Sequence, residues 1–277
     1  MFKAVLSITT GFMLAMAFAC QSKQAEVANQ NQDTINTGVK QPPQMVISDS
    51  FTIVRINNSD GMQLVGSFYP TGKPNSPAVL LLHQWQSDRH SYDDFAQRMR
   101  AKGFAVLSID GRGFGESTIR ADGSTVLPER TDAAVKAMLG DVGAAFDYLS
   151  KRVDVDPSRV GILGASYGSS LAIIYAADHP NVAAVALLSP GLNYFGNMQT
   201  EPAVKKYGDR PLYLLASVDD TESFEAVKRL NPTVGERAKY RQTIYPEKEA
   251  GHGTSLLKVG GAEELVDFLS KTIGSGK

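Results

Sequence analysis

The residues best suited to chemistry lie in a Gly-x-Ser-x-Gly segment that runs from Gly164 to Gly168. An apolar run, residues 160–163, leads into the segment, and a helical run, residues 171–177, follows it. A strand, a sharp turn and a helix form the setting of a nucleophile elbow, which exposes a serine hydroxyl at the end of a strand. The two glycines have no Cβ, so the turn can close and neighbouring elements can pack against it. The segment therefore predicts a nucleophile at Ser166.

A serine hydroxyl is a weak nucleophile until a base takes its proton, so the chain must also supply a base and an acid. His252, between two glycines after the last predicted strand, is the candidate base, because histidine can accept a proton near neutral pH. Asp219 and Asp220 follow the strand that ends at Ser217, and adjacent residues point to opposite sides, so only one can face the histidine. Although Gly-x-Ser-x-Gly also arises by chance in glycine-rich turns, these downstream partners favour the catalytic interpretation.

The stretch over residues 80–117 carries several further motifs. They are His83 at the end of the third strand, a helix over 92–102, a strand over 104–110 and a glycine-rich turn over 111–117. This stretch resembles the α/β-hydrolase superfamily, specifically its lidless branch of dienelactone hydrolase-like esterases and serine aminopeptidase-like proteins. The resemblance implies an α/β fold of the α/β-hydrolase type, with a mostly parallel eight-stranded sheet and helices on both faces.

No large cap domain is expected, since residues 192–210 are too few to form one between the strands on either side. The order Ser166, Asp220, His252 is the α/β-hydrolase order of nucleophile, acid and base. The family has a small residue three places before the acid, and because Ser217 occupies that place, the resemblance favours Asp220 over Asp219. In this interpretation an acyl-enzyme forms on Ser166, and Asp220 fixes the tautomer of the imidazole.

The resemblance also predicts the groups around the nucleophile. The backbone N–H groups of Trp85 and Tyr167 are expected to form the oxyanion hole, with Gln84 as the alternative to Trp85. Gln84 stands where many members of the family have glycine. Tyr194 and Phe195 are candidates for the wall of a substrate pocket, and packing within the protein is the alternative for both.

Several other polar residues are interpreted as structural. His83 is expected to bind loop backbone rather than act as the base, because the catalytic histidine comes later in chain order. Asp110 and Arg112 are expected to hold the glycine-rich turn, which lacks the Lys-Ser/Thr of a phosphate loop. The next segment has the spacing of a long amphipathic helix, on which Asp141 and Asp147 are assigned to the solvated face.

Composition and charge limit the remaining classes of function. With 277 residues and 43% hydrophobic content, the chain can form one large α/β domain and a short appendage. A net charge of −1 provides no basic field, so nucleic acid is excluded as a partner. Asp154 and Asp156 supply too few oxygen ligands for a calcium site, so no metal and no cofactor are predicted. The predicted partner is a small ester or acyl substrate.

The N-terminal residues have the pattern of a targeting segment. Lys3 is followed by an apolar run over 4–19 that is too short to span a membrane, and then by Cys20, the single cysteine. The pattern resembles a bacterial lipoprotein signal, which implies a lipid on Cys20 and a membrane anchor. By the same resemblance, Gln21 and Ser22 favour the outer membrane. The expected location is its periplasmic face, with secretion or a periplasmic location as the alternative. The predicted domains are a signal peptide (1–20), a disordered polar tether (21–44) and the catalytic domain (45–277).

The function predicted from these patterns is that of a serine hydrolase acting on an ester or small acyl substrate. Dienelactone hydrolases proper have cysteine as the nucleophile, and serine in its place favours a carboxylesterase. Two alternatives stay open: a peptidase of the serine aminopeptidase type, and a catalytically silent hydrolase-fold binding protein of the cell envelope. The intact set of serine, acid and histidine argues against the silent protein.

Overall fold

A sheet lies at the centre of the fold in the computed structural model, which describes residues 51–235, 237, 239–246 and 250–274. The predicted signal peptide, Cys20 and the tether over 21–44 lie outside the described residues. The strands are, in chain order, β1 (Thr52–Asn57), β2 (Gln63–Tyr69), β3 (Ser76–Leu82), β4 (Ala105–Ile109), β5 (Val155–Ala165), β6 (Ala184–Leu188), β7 (Asn193–Tyr194), β8 (Met198–Gln199), β9 (Leu212–Ser217) and β10 (Tyr240–Tyr245).

Eight of these strands form one sheet in the order β1-β2-β4-β3-β5-β6-β9-β10. β1 and β2 form an antiparallel hairpin at one edge, and β2 is antiparallel to β4. All other neighbours in the sheet are parallel. β3 is buried along its whole length, as a strand covered on both faces must be. The carboxyl ends of the parallel strands meet at one edge, where open α/β sheets bind their ligands.

Helices cover both faces of the sheet. The helices α1 (Asp93–Ala101) and α6 (Gly261–Leu269) pack on one face, and the other carries α2 (Asp132–Ser150), α3 (Tyr167–Asp178), α4 (Thr200–Tyr207) and α5 (Thr221–Val234). Short 3₁₀ turns lie at Arg89–Tyr92 and Gly253–Lys258, and a π turn lies at Ser270–Gly274. Within the described residues, no helix is long and apolar enough to cross a membrane.

This architecture confirms the predicted α/β-hydrolase fold. Between β6 and β9 the chain forms only the β7–β8 ribbon and the short α4, so this connection holds no large cap. The edge of the sheet where β5, β9 and β10 end is therefore not covered by a second domain from this segment. Three loops that carry candidate site residues follow those strands.

The turn after β4 is held by a buried carboxylate. Asp110 is fully buried and accepts hydrogen bonds from the backbone N–H groups of Arg89 and Glu116, both at 2.8 Å. It also forms an ion pair with the Arg89 guanidinium. Gly115 has a φ of +50°, and a Cβ added there would lie 2.3 Å from the Asp110 carboxylate, so only glycine fits. The prediction that Asp110 is structural is confirmed.

Arg112 forms an ion pair with Asp141 of α2, a residue that the sequence pattern assigns to the solvated face of that helix. The assignment of Asp141 to the solvated face of α2 is wrong, because this residue is only 3% exposed. Its carboxylate accepts hydrogen bonds from Arg112 Nε at 2.6 Å, from Arg112 Nη2 at 2.7 Å and from Asn58 Nδ2 at 2.8 Å. These partners make burial of the charge tolerable, and they come from distant parts of the chain that helical periodicity cannot reveal. Asp147 is exposed, as predicted.

Candidate active site

The turn between β5 and α3 holds Ser166 in a strained backbone conformation. Ser166 has φ +53° and ψ −125°, in a region that residues other than glycine rarely occupy. A Cβ on Gly164 would lie 2.1 Å from the Gly168 carbonyl oxygen, and a Cβ on Gly168 would lie 2.6 Å from the His83 carbonyl oxygen. Both glycines are therefore required by close backbone contacts. The Ser166 side chain lies at the carboxyl edge of the sheet and is 7% exposed.

The loops after β9 and β10 bring one acid and one histidine together. His252 Nδ1 lies 2.6 Å from Asp220 Oδ2. Asp220 is also the N-cap of α5 and accepts a long hydrogen bond of 3.4 Å from the Ser223 N–H. Burial opposes ionisation of Asp220, but the hydrogen bond with the His252 side chain and the nearby Ser223 and Ser189 outweigh it and lower its pKa. The carboxylate is therefore ionised and positioned to orient the imidazole.

Asp219 does not occupy the same position. Its Oδ2 accepts a hydrogen bond of 3.3 Å from the backbone N–H of Gly251, the residue before the histidine. Asp219 thus contacts the histidine loop, whereas Asp220 contacts the imidazole itself. Of the two adjacent carboxylates, Asp220 is the one that contacts the His252 imidazole, as its interpretation as the orienting acid requires.

Ser189, which sequence reasoning missed, connects the acid and histidine loops. It is fully buried after β6 with φ +48°, and its Oγ accepts a hydrogen bond of 2.8 Å from the Gly253 N–H. The same side chain helps to lower the pKa of the Asp220 carboxyl. A single hydroxyl therefore contacts the histidine loop and favours the ionised form of the candidate acid. The sequence offers only a Ser-Pro-Gly turn at this place, which has no specific meaning by itself.

Tyr194 lies closer to the nucleophile than a pocket wall requires. Its hydroxyl donates a hydrogen bond of 2.9 Å to the Ser189 carbonyl oxygen. Burial raises the pKa of Tyr194 to about 12, and the proximity of the Ser166 and Ser223 side chains opposes this rise. The ring packs against Gly191, where an added Cβ would lie 2.6 Å from it. Tyr194 thus remains protonated at neutral pH and places its hydroxyl beside Ser166.

The loop after β3 brings Gln84 and Trp85 to the same edge. The His83 Nδ1 donates to the Gln84 carbonyl oxygen at 2.7 Å, and its Nε2 accepts from the Gly111 N–H at 2.8 Å. Burial lowers the pKa of His83, so this imidazole is neutral and its role as a binder of loop backbone is confirmed. The Gln84 Oε1 accepts from the Thr254 N–H at 2.9 Å and from its hydroxyl at 3.0 Å. The glutamine that replaces the family's glycine therefore links this loop to the histidine loop.

Two backbone N–H groups are available for an oxyanion. Tyr167 is the first residue of α3, and its N–H has no acceptor within the helix. In the part of the chain that the structure describes, neither this N–H nor that of Trp85 donates to another residue. Free donors at a helix N-terminus and in the facing loop can stabilise negative charge on an oxygen. The structure thus leaves both predicted oxyanion donors unused.

An aromatic cluster adjoins these donors. The Trp85 ring packs edge to face on Phe114 at 4.8 Å, on Tyr167 at 5.4 Å and on Phe195 at 4.8 Å between ring centroids. The guanidinium of Arg130 lies over two of these rings, 4.8 Å from the Trp85 centroid and 5.0 Å from the Phe195 centroid. Phe195 therefore forms part of a wall beside the site. No sequence pattern indicates that Arg130 joins it. Among the described residues, no group of three or more potential ligands could hold a metal ion.

Comparison with known proteins identifies the class. The model of the serine aminopeptidase family, S33, matches residues 73–219, which is more than half of the chain. The chain therefore belongs to this family of the α/β-hydrolase superfamily. The matched stretch includes Ser166 and ends one residue before Asp220, so it does not extend to the candidate acid and base.

Curated relatives match part of the chain. An uncharacterized protein of Mycobacterium tuberculosis is 33% identical over 138 residues, which is 50% of this chain and 44% of that protein. The quorum-quenching protein AidA of Acinetobacter baumannii is 30% identical over 131 residues, 47% of this chain and 40% of that protein. The chain thus spans less than half the length of these two relatives. Among solved structures, the esterase Pf2001 of Pyrococcus furiosus matches with a TM-score of 0.65 and 16% identity, over 81% of this chain and 94% of that one. At this identity the likeness shows the fold alone.

Proposed function

We propose that the protein is a serine carboxylesterase that cleaves an ester or small acyl substrate through an acyl-enzyme on Ser166. The observation that carries the proposal is the His252–Asp220 contact of 2.6 Å on the loops that follow β10 and β9, at the edge where β5 ends in the strained Ser166. A nucleophile, a base and an orienting acid at one sheet edge are what acyl transfer requires.

Each group has a defined part in the proposed reaction. The Ser166 Oγ attacks the carbonyl carbon while His252 Nε2 takes its proton, which forms a tetrahedral intermediate. The N–H groups of Tyr167 and Trp85 stabilise the oxyanion, each by on the order of 3 kcal/mol of barrier. The carbon–oxygen bond to the alcohol then breaks, and His252 gives its proton to the leaving oxygen. Water attacks the acyl-enzyme in the same way and releases the acid.

A peptidase of the serine aminopeptidase type is the second candidate, and the family model that matches residues 73–219 favours it. Such an enzyme would use the same nucleophile, base and acid on an amide bond. The connection between β6 and β9 offers only a two-stranded ribbon and α4 to cover the site, which favours small esters over the selection of short peptides. Hydrolysis of amino acid p-nitroanilides at a rate comparable to that of p-nitrophenyl esters would favour the peptidase.

The test combines covalent labelling with turnover. We expect a fluorophosphonate to add once to the full chain in mild detergent and not at all to Ser166→Ala, as measured by intact mass. We also expect hydrolysis of p-nitrophenyl esters from acetate to octanoate, whose chain-length profile measures the acyl pocket. A folded wild-type protein that neither reacts with the fluorophosphonate nor cleaves these esters or the p-nitroanilides would instead be the silent binding protein.

We also propose that a lipid on Cys20 anchors the enzyme in the bacterial cell envelope, with its domain in the periplasm. Support comes from the single cysteine, which ends a short apolar run and precedes a polar segment. We expect the mature chain to carry a diacylglyceryl group on its first residue by mass spectrometry and to fractionate with outer membranes. Cys20→Ser should abolish the lipid and the membrane association. An unmodified N-terminus in the soluble fraction of wild-type cells would contradict the proposal.

A further inference from the structure

Arg130 is a cation held at the mouth of the candidate active site. Its guanidinium lies over the rings of Trp85 and Phe195, at 4.8 and 5.0 Å from their centroids, which are distances typical of cation–π contacts. The Trp85 ring packs on Tyr167, the residue after the nucleophile, and Phe195 follows Tyr194, whose hydroxyl lies beside Ser166. The positive charge is therefore next to the groups that would surround a bound substrate.

The backbone of Arg130 is fixed as well as its side chain. The Asn197 Nδ2 donates a hydrogen bond of 3.1 Å to the Arg130 carbonyl oxygen and one of 2.8 Å to Asp132 Oδ1. Thr131, the next residue, is the N-cap of α2 and accepts a hydrogen bond of 3.2 Å from the Ala134 N–H. The start of α2 is thereby tied to the loop that carries Phe195. The Arg130 backbone is thus held in place, and its exposed side chain reaches the two rings from a fixed position.

The charge of Arg130 has no carboxylate partner in the part of the chain that the structure describes. The neighbouring arginines do: Arg112 pairs with Asp141 and Asp60, and Arg120 lies 3.5 Å from Asp60 Oδ2. Stacking on aromatic rings uses the face of a guanidinium and leaves the N–H donors along its edge unused. Those donors form a planar fork that matches the two oxygens of a carboxylate.

We propose that Arg130 binds a carboxylate of the substrate, so that the enzyme prefers esters carrying an anionic group to neutral esters of the same length. The inference rests on the proposed function and specifies its substrate class. One guanidinium neutralises the single charge of a carboxylate, whereas a phosphate dianion would call for further donors. Arg130 acts in binding and contributes to specificity, and the reaction at Ser166 is otherwise as described above.

Two matched pairs of substrates test the proposal on the full chain in mild detergent. The first pair, mono-p-nitrophenyl adipate and p-nitrophenyl hexanoate, differs by a carboxylate at the end of the acyl chain. The second pair, para-acetoxybenzoate and its methyl ester, differs by a carboxylate on the leaving group. We expect a higher kcat/KM for the anionic member of at least one pair, expressed mainly in KM, and we expect added NaCl to reduce the preference.

The decisive measurement is the ratio of kcat/KM values within a pair. Arg130→Gln should lower the ratio of anionic to neutral ester by roughly 10- to 100-fold, the effect of losing a charge-assisted hydrogen bond. Arg130→Lys should retain part of the preference for the anionic ester, because an ammonium keeps the positive charge but lacks the two parallel N–H donors of a guanidinium. Lys136→Gln, an exposed residue on α2, removes the same charge away from the two rings and should leave the ratio at its wild-type value.

The outcomes separate this inference from the proposed function. A wild-type enzyme that cleaves the neutral esters without preferring either anionic one overturns the role of Arg130 and leaves the esterase standing. A preference that survives in Arg130→Gln overturns it equally. If the wild-type protein cleaves no ester and does not react with a fluorophosphonate, the proposed function itself fails, and the inference fails with it.

Discussion

Replacement of Asp220 by asparagine is expected to lower kcat for p-nitrophenyl butyrate by roughly a thousand- to ten-thousand-fold. In the wild-type protein the His252 Nδ1 lies 2.6 Å from the carboxylate, so Nδ1 carries the proton and Nε2 is left to accept the proton of Ser166. An asparagine amide can donate to Nδ1 instead, which moves the imidazole proton to Nε2, where it prevents base catalysis. Steady-state kinetics on the folded variant would measure the loss, with the greater effect on kcat than on KM.

Asp219→Asn is the matched control, because it removes the same charge from the neighbouring residue. The Asp219 carboxylate accepts a hydrogen bond of 3.3 Å from the Gly251 N–H of the histidine loop, a bond that an asparagine oxygen can also accept. We expect a loss of less than about tenfold in kcat. A large loss in Asp219→Asn together with a small loss in Asp220→Asn would show that Asp219 is the acid.

The candidate nucleophile, base and acid could be predicted because each is marked by local sequence. Ser166 lies between two glycines that the elbow requires, and His252 follows the last strand. The choice of Asp220 depended on the small Ser217, whose hydroxyl in the structure donates to the Gly251 carbonyl oxygen at 2.7 Å. A small side chain there allows the strand end to approach the histidine loop. The resemblance thus pointed to a position with a physical role.

The groups that support this site could not be predicted, because their roles depend on contacts between distant segments. Ser189 and Gln84 each bind the histidine loop, across 64 and 170 residues of sequence respectively. Arg130 is an ordinary polar residue in a loop until folding places it over Trp85 and Phe195. Neither hydrophobic periodicity nor a short motif indicates contacts between segments so far apart in sequence. Sequence patterns therefore pointed to the candidate reacting groups but not to the residues that contact them.

The fold could also be predicted from local patterns, and its prediction was wrong where a contact between distant segments decides, at Asp141. Continuous apolar runs such as β3 indicate strands buried on both faces, whatever their partners are. The error at Asp141 arose because a charged residue at a polar position of an amphipathic helix is normally exposed. Only the approach of Arg112 from the turn after β4 makes its burial tolerable.

This buried pair leads to the second large expected effect, on stability. Arg112→Leu should lower the free energy of unfolding by about 3–5 kcal/mol, because it leaves the buried Asp141 carboxylate without its cation. Burial already raises the pKa of Asp141 against the opposing effect of Arg112. A group whose pKa is higher in the folded than in the unfolded state destabilises the fold as pH rises through that range. The deficit of the variant should therefore grow from about pH 4 upward and shrink in acid, as measured by urea unfolding at several pH values.

Two further variants test whether the loss of stability comes from leaving the Asp141 charge uncompensated or simply from losing an ion pair. Arg112→Leu combined with Asp141→Leu removes both buried charges, so it should recover much of the stability that the single change loses. Lys151→Met breaks an exposed ion pair with Asp147, in which the side chains of Lys151 and Asp147 are 74% and 56% exposed. It should lower the free energy of unfolding by less than about 1 kcal/mol. If the double variant were less stable than Arg112→Leu at neutral pH, the Asp141 side chain would stabilise the fold even without Arg112, and the explanation by an uncompensated buried charge would be wrong. In that case the hydrogen bond of 2.8 Å from Asn58 Nδ2 would be enough to compensate the buried Asp141 carboxylate.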